Sequence, residues 1–221
     1  MIPLRSSERV YSTPTVTASL IAVNTAVWIY QWHLPNYAFD EFAQQWGIVP
    51  DHLSLITLIT SMFLHGGWLH IIGNMLFLWV FGRNVEDLVG GSRYFLLYII
   101  CGLAAGILQV VTHPYSRQPT IGASGAIAGV MGAYLMKFPR SRISTLFPIF
   151  VFFTTLEIPA ALYLVYWFAL QFFSGIGSLT EADYTGGGTA WFAHVGGFIA
   201  GLLLVRLFPD RRHWRTWHSD V

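Results

Sequence analysis

The spacing of charged residues along this chain constrains its fold more than any single motif. Uncharged stretches run over 10–39, 52–82, 94–116, 118–136, 143–156, 158–180 and 184–205. A helix that crosses a bilayer needs about 20 largely apolar residues, with a range of roughly 17–25. Six stretches meet that length, and 143–156, which Pro148 interrupts, does not. Only 10% of the residues are charged and 54% are hydrophobic, where an ordinary soluble domain carries roughly 25% charge, so a soluble globule is excluded. The net charge of +1 provides no basic field to collect nucleic acid. The lone Cys101 lies in an apolar run and reads as packing, with no disulfide or thiolate cage open to it.

These stretches predict an all-α polytopic membrane protein with helices near 15–32, 68–87, 92–112, 122–138, 158–177 and 190–207. The chain reads as one membrane domain over 1–221, with short tails at about 1–14 and 208–221 and no cleavable signal peptide. Residues 143–156 are expected to lie at the interface or to lead into the fifth helix. The first external loop, 33–67, is long and rich in apolar and aromatic residues (Trp46, Leu53, Leu55, Ile56, Phe63), which predicts a segment embedded at the membrane boundary.

Basic residues orient the bundle. With six crossings, Arg5, Arg9, Arg83, Arg93, Lys137, Arg140, Arg142, Arg206, Arg211, Arg212 and Arg215 share the side of both termini, and Arg117 alone lies opposite. Both termini are therefore expected in the cytoplasm. Arg211, Arg212 and Arg215, with Trp214 and Trp217, are expected to anchor the last segment at the inner leaflet.

Polar groups inside spans are costly, and they mark sites or helix contacts. His70 and Asn74 are four residues apart and share a face of the second helix. The fourth helix opens with Gly122-Ala123-Ser124-Gly125, and the sixth opens with Ala193-His194-Val195-Gly196-Gly197 and continues to Gly201. All three helices run from outside to inside, which sets Ser124, His194 and His70 at one shallow depth. Gly125, Gly129 and Gly132 on the fourth helix, and Gly197 and Gly201 on the sixth, allow close approach. A serine within reach of a histidine points to acyl transfer, in which imidazole takes the hydroxyl proton and returns it to the leaving amine. Unpaired N–H groups at the start of the fourth helix, with His70 and Asn74, are candidate donors to an oxyanion. Glu157 lies near the cytoplasmic boundary, and Asp51, Glu181 and Asp183 lie in external loops, so a Ser-His dyad without an orienting carboxylate is expected. The histidines show no metal-ligand spacing, and no cofactor is called for.

The G-A-S-G at 122–125, the A-H-x-G-G at 193–197 with Gly201, and His65-Gly-Gly-x-x-His70-x-x-x-Asn74 together resemble the rhomboid family of intramembrane serine proteases. The match extends from the first span to the sixth. The resemblance implies a six-transmembrane-helix rhomboid-like bundle of the minimal bacterial type, in the cytoplasmic membrane, with a long membrane-embedded first loop. It implies Ser124 as nucleophile, His194 as general base, His70 and Asn74 at the oxyanion, and Gly122 shaping the serine loop. It also implies that the partners are membrane proteins whose transmembrane segments are cleaved, and that Glu86 is a structural acid. Two features depart from the family's pattern. Ala128 occupies a place where many members carry an aromatic that supports the histidine, and 33–67 contains no Arg. The rival reading is a proteolytically inactive rhomboid-like protein that binds membrane helices. A transporter fits less well, because the uncharged polar groups cluster toward one face.

Overall fold

The computed structural model describes residues 1–149, 152–178 and 190–211. The chain opens with a strand, β1 (Ile2–Ser6), followed by helix α1 (Thr15–Trp32). The first loop is built from α2 (Asn36–Trp46), a 3-10 turn at Pro50–His52, α3 (Thr57–Thr60) and a second 3-10 turn at Ser61–Phe63. Next comes α4 (Trp68–Phe77), which passes through a π-helical turn at Leu78–Gly82 into α5 (Arg83–Val89). α6 (Gly91–Thr112) and α7 (Ser124–Lys137) follow. Two strands, β2 (Arg142–Ile149) and β3 (Phe152–Pro159), precede α8 (Ala160–Ser178) and α9 (Trp191–Leu204). By length and apolar composition, Gly91–Thr112 and Ala160–Gly177 can each cross a bilayer. Thr57–Phe63 with Trp68–Val89, bent by 96°, forms a third such unit if counted as one.

The expectation of an all-α chain is corrected by a three-stranded antiparallel sheet in the order β1-β2-β3. Residues 143–149 and 152–156, within the segment expected at the interface or leading into the fifth helix, are paired strands that do run into α8, with Ile143 opposite Ile158 and Thr145 opposite Leu156. Part of the expected N-terminal tail pairs as its edge, with Ser6 opposite Ile143. The physical reason lies in composition. Ile143, Thr145, Phe153, Thr154, Thr155 and Ile158 are β-branched or aromatic residues that favour a pleated, half-buried surface. An open sheet leaves edge N–H and C=O groups unpaired, an arrangement that lipid-exposed hydrocarbon does not tolerate.

α7 is the hub. Gly125, Ala126, Ala128, Gly129, Val130, Met131, Gly132, Ala133 and Tyr134 are all buried. On one side α7 meets α9 so closely that a Cβ on Gly197 or Gly201 would overlap the carbonyl of Gly125 or Gly129. On another side Cys101 and Ala105 of α6 lie against Gly129 and Gly125. Cys101 is fully buried, as its apolar setting predicts. The Glu86 carboxylate accepts the N–H of Val16 at 2.9 Å, the N–H of Thr17 at 2.8 Å and the Thr17 hydroxyl at 2.7 Å, capping the N-terminus of α1.

The ends of the helices sort into two groups. Lys137, in the last turn of α7, pairs with Asp210 beyond α9 at 2.6 Å, and the Arg211 N–H donates to the Leu88 carbonyl. The sheet and the ends of α5, α7 and α9 therefore share one end. Asp51 of the first loop and Arg117, which follows α6, meet in an exposed pair at 3.1 Å. Glu181, Asp183, Arg212, Arg215, Trp214 and Trp217 lie outside the described residues.

Candidate active site

Ser124 is the first residue of α7, and two neighbouring features fix it there. The Gly122 N–H donates to the Ser61 carbonyl at 2.9 Å, tying the approach to α7 to the first loop. Gly122 itself has φ +128°, a conformation that L side chains rarely adopt. A Cβ there would sit 2.7 Å from Nε2 of His70 and 3.6 Å from Oγ of Ser124. Glycine thus permits both the turn and the close approach of His70 to the serine loop. No side chain caps α7, so its first-turn N–H groups, that of Ser124 included, keep donors free among the described residues.

His194 stands in the first turn of α9, brought to α7 by the Gly197 and Gly201 contact. Its Nε2 is 2.7 Å from Oγ of Ser124. It is 8% exposed, against a half-buried Ser124. For the Ser124 hydroxyl to donate, Nε2 has to be bare, and the neutral ring then carries its hydrogen on Nδ1. Nδ1 is 2.7 Å from Oε1 of Gln171 on α8. Trp167, one turn earlier on α8, packs against the imidazole with ring centroids 5.7 Å apart, and Trp191 lies at 6.4 Å with its ring nearly perpendicular. The support absent at Ala128, which is fully buried inside α7, comes from α8.

His70 and Asn74 lie on the face of α4 that lines the same cavity. The Gly66 N–H donates to Nδ1 of His70 at 3.3 Å, so a neutral ring carries its hydrogen on Nε2, the atom closest to Gly122. The Asn74 side-chain nitrogen is buried and has no hydrogen-bond partner among the described residues. An unspent buried donor is costly, and this one borders a cavity where an acceptor could arrive. Gln31 holds the preceding turn by its backbone, accepting from the His65 N–H at 3.0 Å and donating to the His65 carbonyl at 3.3 Å. The His65 ring packs edge-on against His70 at 5.1 Å. The cavity occupies about 760 Å³ and takes its walls from the first loop, α4, α6, α7, α8 and α9.

Ser124, His194, His70 and Asn74 are therefore brought together on one cavity, with Gly122 and Gly125 also on its wall and Gly197 and Gly201 behind it. Gln171 and Trp167 are the residues that sequence reasoning missed. The available signal was a single amide, Gln171, in the apolar run 158–178.

The class defined by these observations is a multi-pass helical membrane protein with a serine, a histidine and unspent donors around a cavity at one end of its central helix. The Rhomboid domain family matches residues 52–211, and the chain belongs to the rhomboid family. RHOMBOID-like protein 5 of Arabidopsis thaliana is 32% identical over 147 residues, covering 66% of this chain and 42% of that protein. Rhomboid protein 1, mitochondrial, of Saccharomyces cerevisiae is 33% identical over 131 residues, covering 57% of this chain and 37% of that protein. Rhomboid protease GluP of Bacillus subtilis is 42% identical over 78 residues, covering 35% of this chain and 15% of that protein. The chain spans less than half the length of these curated relatives.

Proposed function

We propose that this protein is an intramembrane serine endopeptidase that cleaves transmembrane segments of other membrane proteins. The observation that carries the reading is the 2.7 Å hydrogen bond between Ser124 Oγ and His194 Nε2 on a cavity rimmed by unspent donors. Membership of a family that includes a rhomboid protease supports it.

The reaction follows from the geometry. Ser124 Oγ bonds to the scissile carbonyl carbon while its proton passes to His194 Nε2. The carbonyl oxygen gains the electron pair and is met by the Ser124 N–H, the His70 Nε2–H and the Asn74 amide. The imidazolium then protonates the leaving nitrogen as the C–N bond breaks, releasing an amine and leaving an acyl-serine. A water gives a proton to His194 as its oxygen bonds to the acyl carbon; the C–Oγ bond then breaks, the imidazolium returns the proton to Ser124 Oγ, and the acid is released. The polar rim of the cavity suits that water.

In this reading the whole chain is one membrane domain with six crossings, made by α1, α4 with α5, α6, α7, α8 and α9. The excess of basic residues supports a reading with both termini on the cytoplasmic side of a cytoplasmic membrane and the active site opening to the external side. α7 has 14 residues and rises only about 21 Å, less than a hydrocarbon core of roughly 30 Å. With Lys137 held at the cytoplasmic boundary, Ser124 lies sunk beneath the external surface, where a locally unwound substrate helix can present a carbonyl.

The test is cleavage of a labelled transmembrane substrate by the purified protein in detergent. Wild type cleaves, while Ser124→Ala and His194→Ala lose activity by on the order of a thousandfold or more. Cleavage that survives Ser124→Ala removes the nucleophile assignment. A folded wild type that binds helices and cleaves none favours the inactive helix-binding reading.

A further inference from the structure

The imidazole of His194 has two nitrogens, and proton transfer with Ser124 uses one of them. Nε2 has to be bare to receive the proton, so in the neutral ring the hydrogen sits on Nδ1 and needs an acceptor. Nδ1 lies 2.7 Å from Oε1 of Gln171, which is 8% exposed. Gln171 belongs to α8, whereas His194 belongs to α9 and Ser124 to α7. Trp167, four residues earlier and hence on the same face of α8, packs beside the ring with centroids 5.7 Å apart and planes tilted by 40°. One face of one helix thus meets the histidine at two points.

Resting on the serine-protease reading above, we propose that Gln171 is the positioning residue of this site: its side-chain carbonyl accepts the Nδ1–H and holds His194 in the tautomer and rotation that point a bare Nε2 at Ser124. The arrangement is a serine-histidine-glutamine relay in which the third member is neutral. A carboxylate would supply orientation and also stabilise the imidazolium by charge, while the amide supplies orientation and a dipole. Only one orientation of the amide serves. Turned over, its NH₂ would donate to Nδ1, and the ring hydrogen would move to Nε2 and block the proton transfer.

The experiment uses the full chain in detergent with the same labelled substrate, comparing wild type with Gln171→Leu and Gln171→Glu, with Ser124→Ala as blank. Thermal unfolding is recorded for each. Gln171→Leu keeps the bulk and removes the acceptor; it is expected to lower kcat by on the order of tenfold to a hundredfold. KM is expected to stay within about twofold, because the residue acts through the histidine and not on the substrate. Gln171→Glu restores an acceptor and is expected to recover most of the lost rate. It also moves the acid limb of the pH profile to higher pH, since a carboxylate beside the ring favours imidazolium. A folded Gln171→Leu protein with kcat within about twofold of wild type overturns the proposal. If that variant fails to fold, Gln171→Glu decides, and a pH profile superimposable on that of wild type overturns it. A wild type that cleaves nothing refutes the protease reading before any change at Gln171 and takes this proposal with it.

Discussion

At the scale of single residues, each polar group in the cavity wall has a distinct relation to hydrogen bonding. Ser124 and His194 are bonded to each other, His70 is fixed in one tautomer by the Gly66 N–H, and Asn74 holds a buried amide donor with no partner among the described residues. A donor kept unspent in the resting protein can strengthen its interaction as charge develops on a substrate oxygen. His70→Ala and Asn74→Ala are accordingly expected to lower kcat by about a hundredfold or more each, with smaller changes in KM, measured on the labelled substrate. A raised KM with kcat unchanged would instead assign these residues to substrate binding. Ser124, His194, His70 and Asn74 were legible in the sequence because each is a polar side chain in an otherwise apolar run, and helix direction gave them a common depth. Gln171 carried the same signal, a lone amide in the apolar run 158–178, but no helix start or glycine pattern tied it to the others, and its relevance depends on how far α8 rotates toward α9. The same holds for Trp167, an ordinary membrane aromatic until its ring is seen against His194.

At the scale of elements, the glycine ridge between α7 and α9 determines whether the site exists. A Cβ on Gly201 would overlap the backbone of Gly129, and backbone yields only if the helices part. Gly201→Val is therefore expected to destabilise the protein by about 3 kcal/mol, seen as a lowered unfolding temperature in detergent and lost cleavage. Gly73 is the control, since a Cβ there would meet nothing within 4 Å. Gly73→Ala should hold or gain stability, as alanine is the better helix former. A Gly201→Val protein as stable as wild type would contradict the packing. This ridge was readable from residue spacing, because small residues at four-residue intervals on two helices imply close approach. The hairpin of β2 and β3 was not readable from the criterion applied, since a length test for spans says only that 143–156 is too short to cross. Its β-branched and aromatic content held the information. The π-helical turn at Leu78–Gly82, in the middle of an expected helix, has no sequence signal of comparable strength.

At the scale of the whole molecule, the cavity and the sheet occupy opposite ends of α7. Lys137 and Asp210 tie the sheet end together, and Asp51 with Arg117 joins loops at the cavity end. The short central helix leaves room above Ser124, and that room is walled by the first loop and five helical segments. The site is thus a property of the assembled bundle: α7 supplies Ser124, α9 His194, α8 Gln171 and Trp167 beside it, and α4 His70 and Asn74. In the proposed reading this assembly activates Ser124. The most direct test is labelling of the folded protein in detergent with a fluorophosphonate, located by peptide mass spectrometry. Covalent modification is expected at Ser124 in wild type, strongly slowed in His194→Ala although Ser124 is retained. Absence of label at Ser124, or labelling at the same rate in His194→Ala, would contradict it.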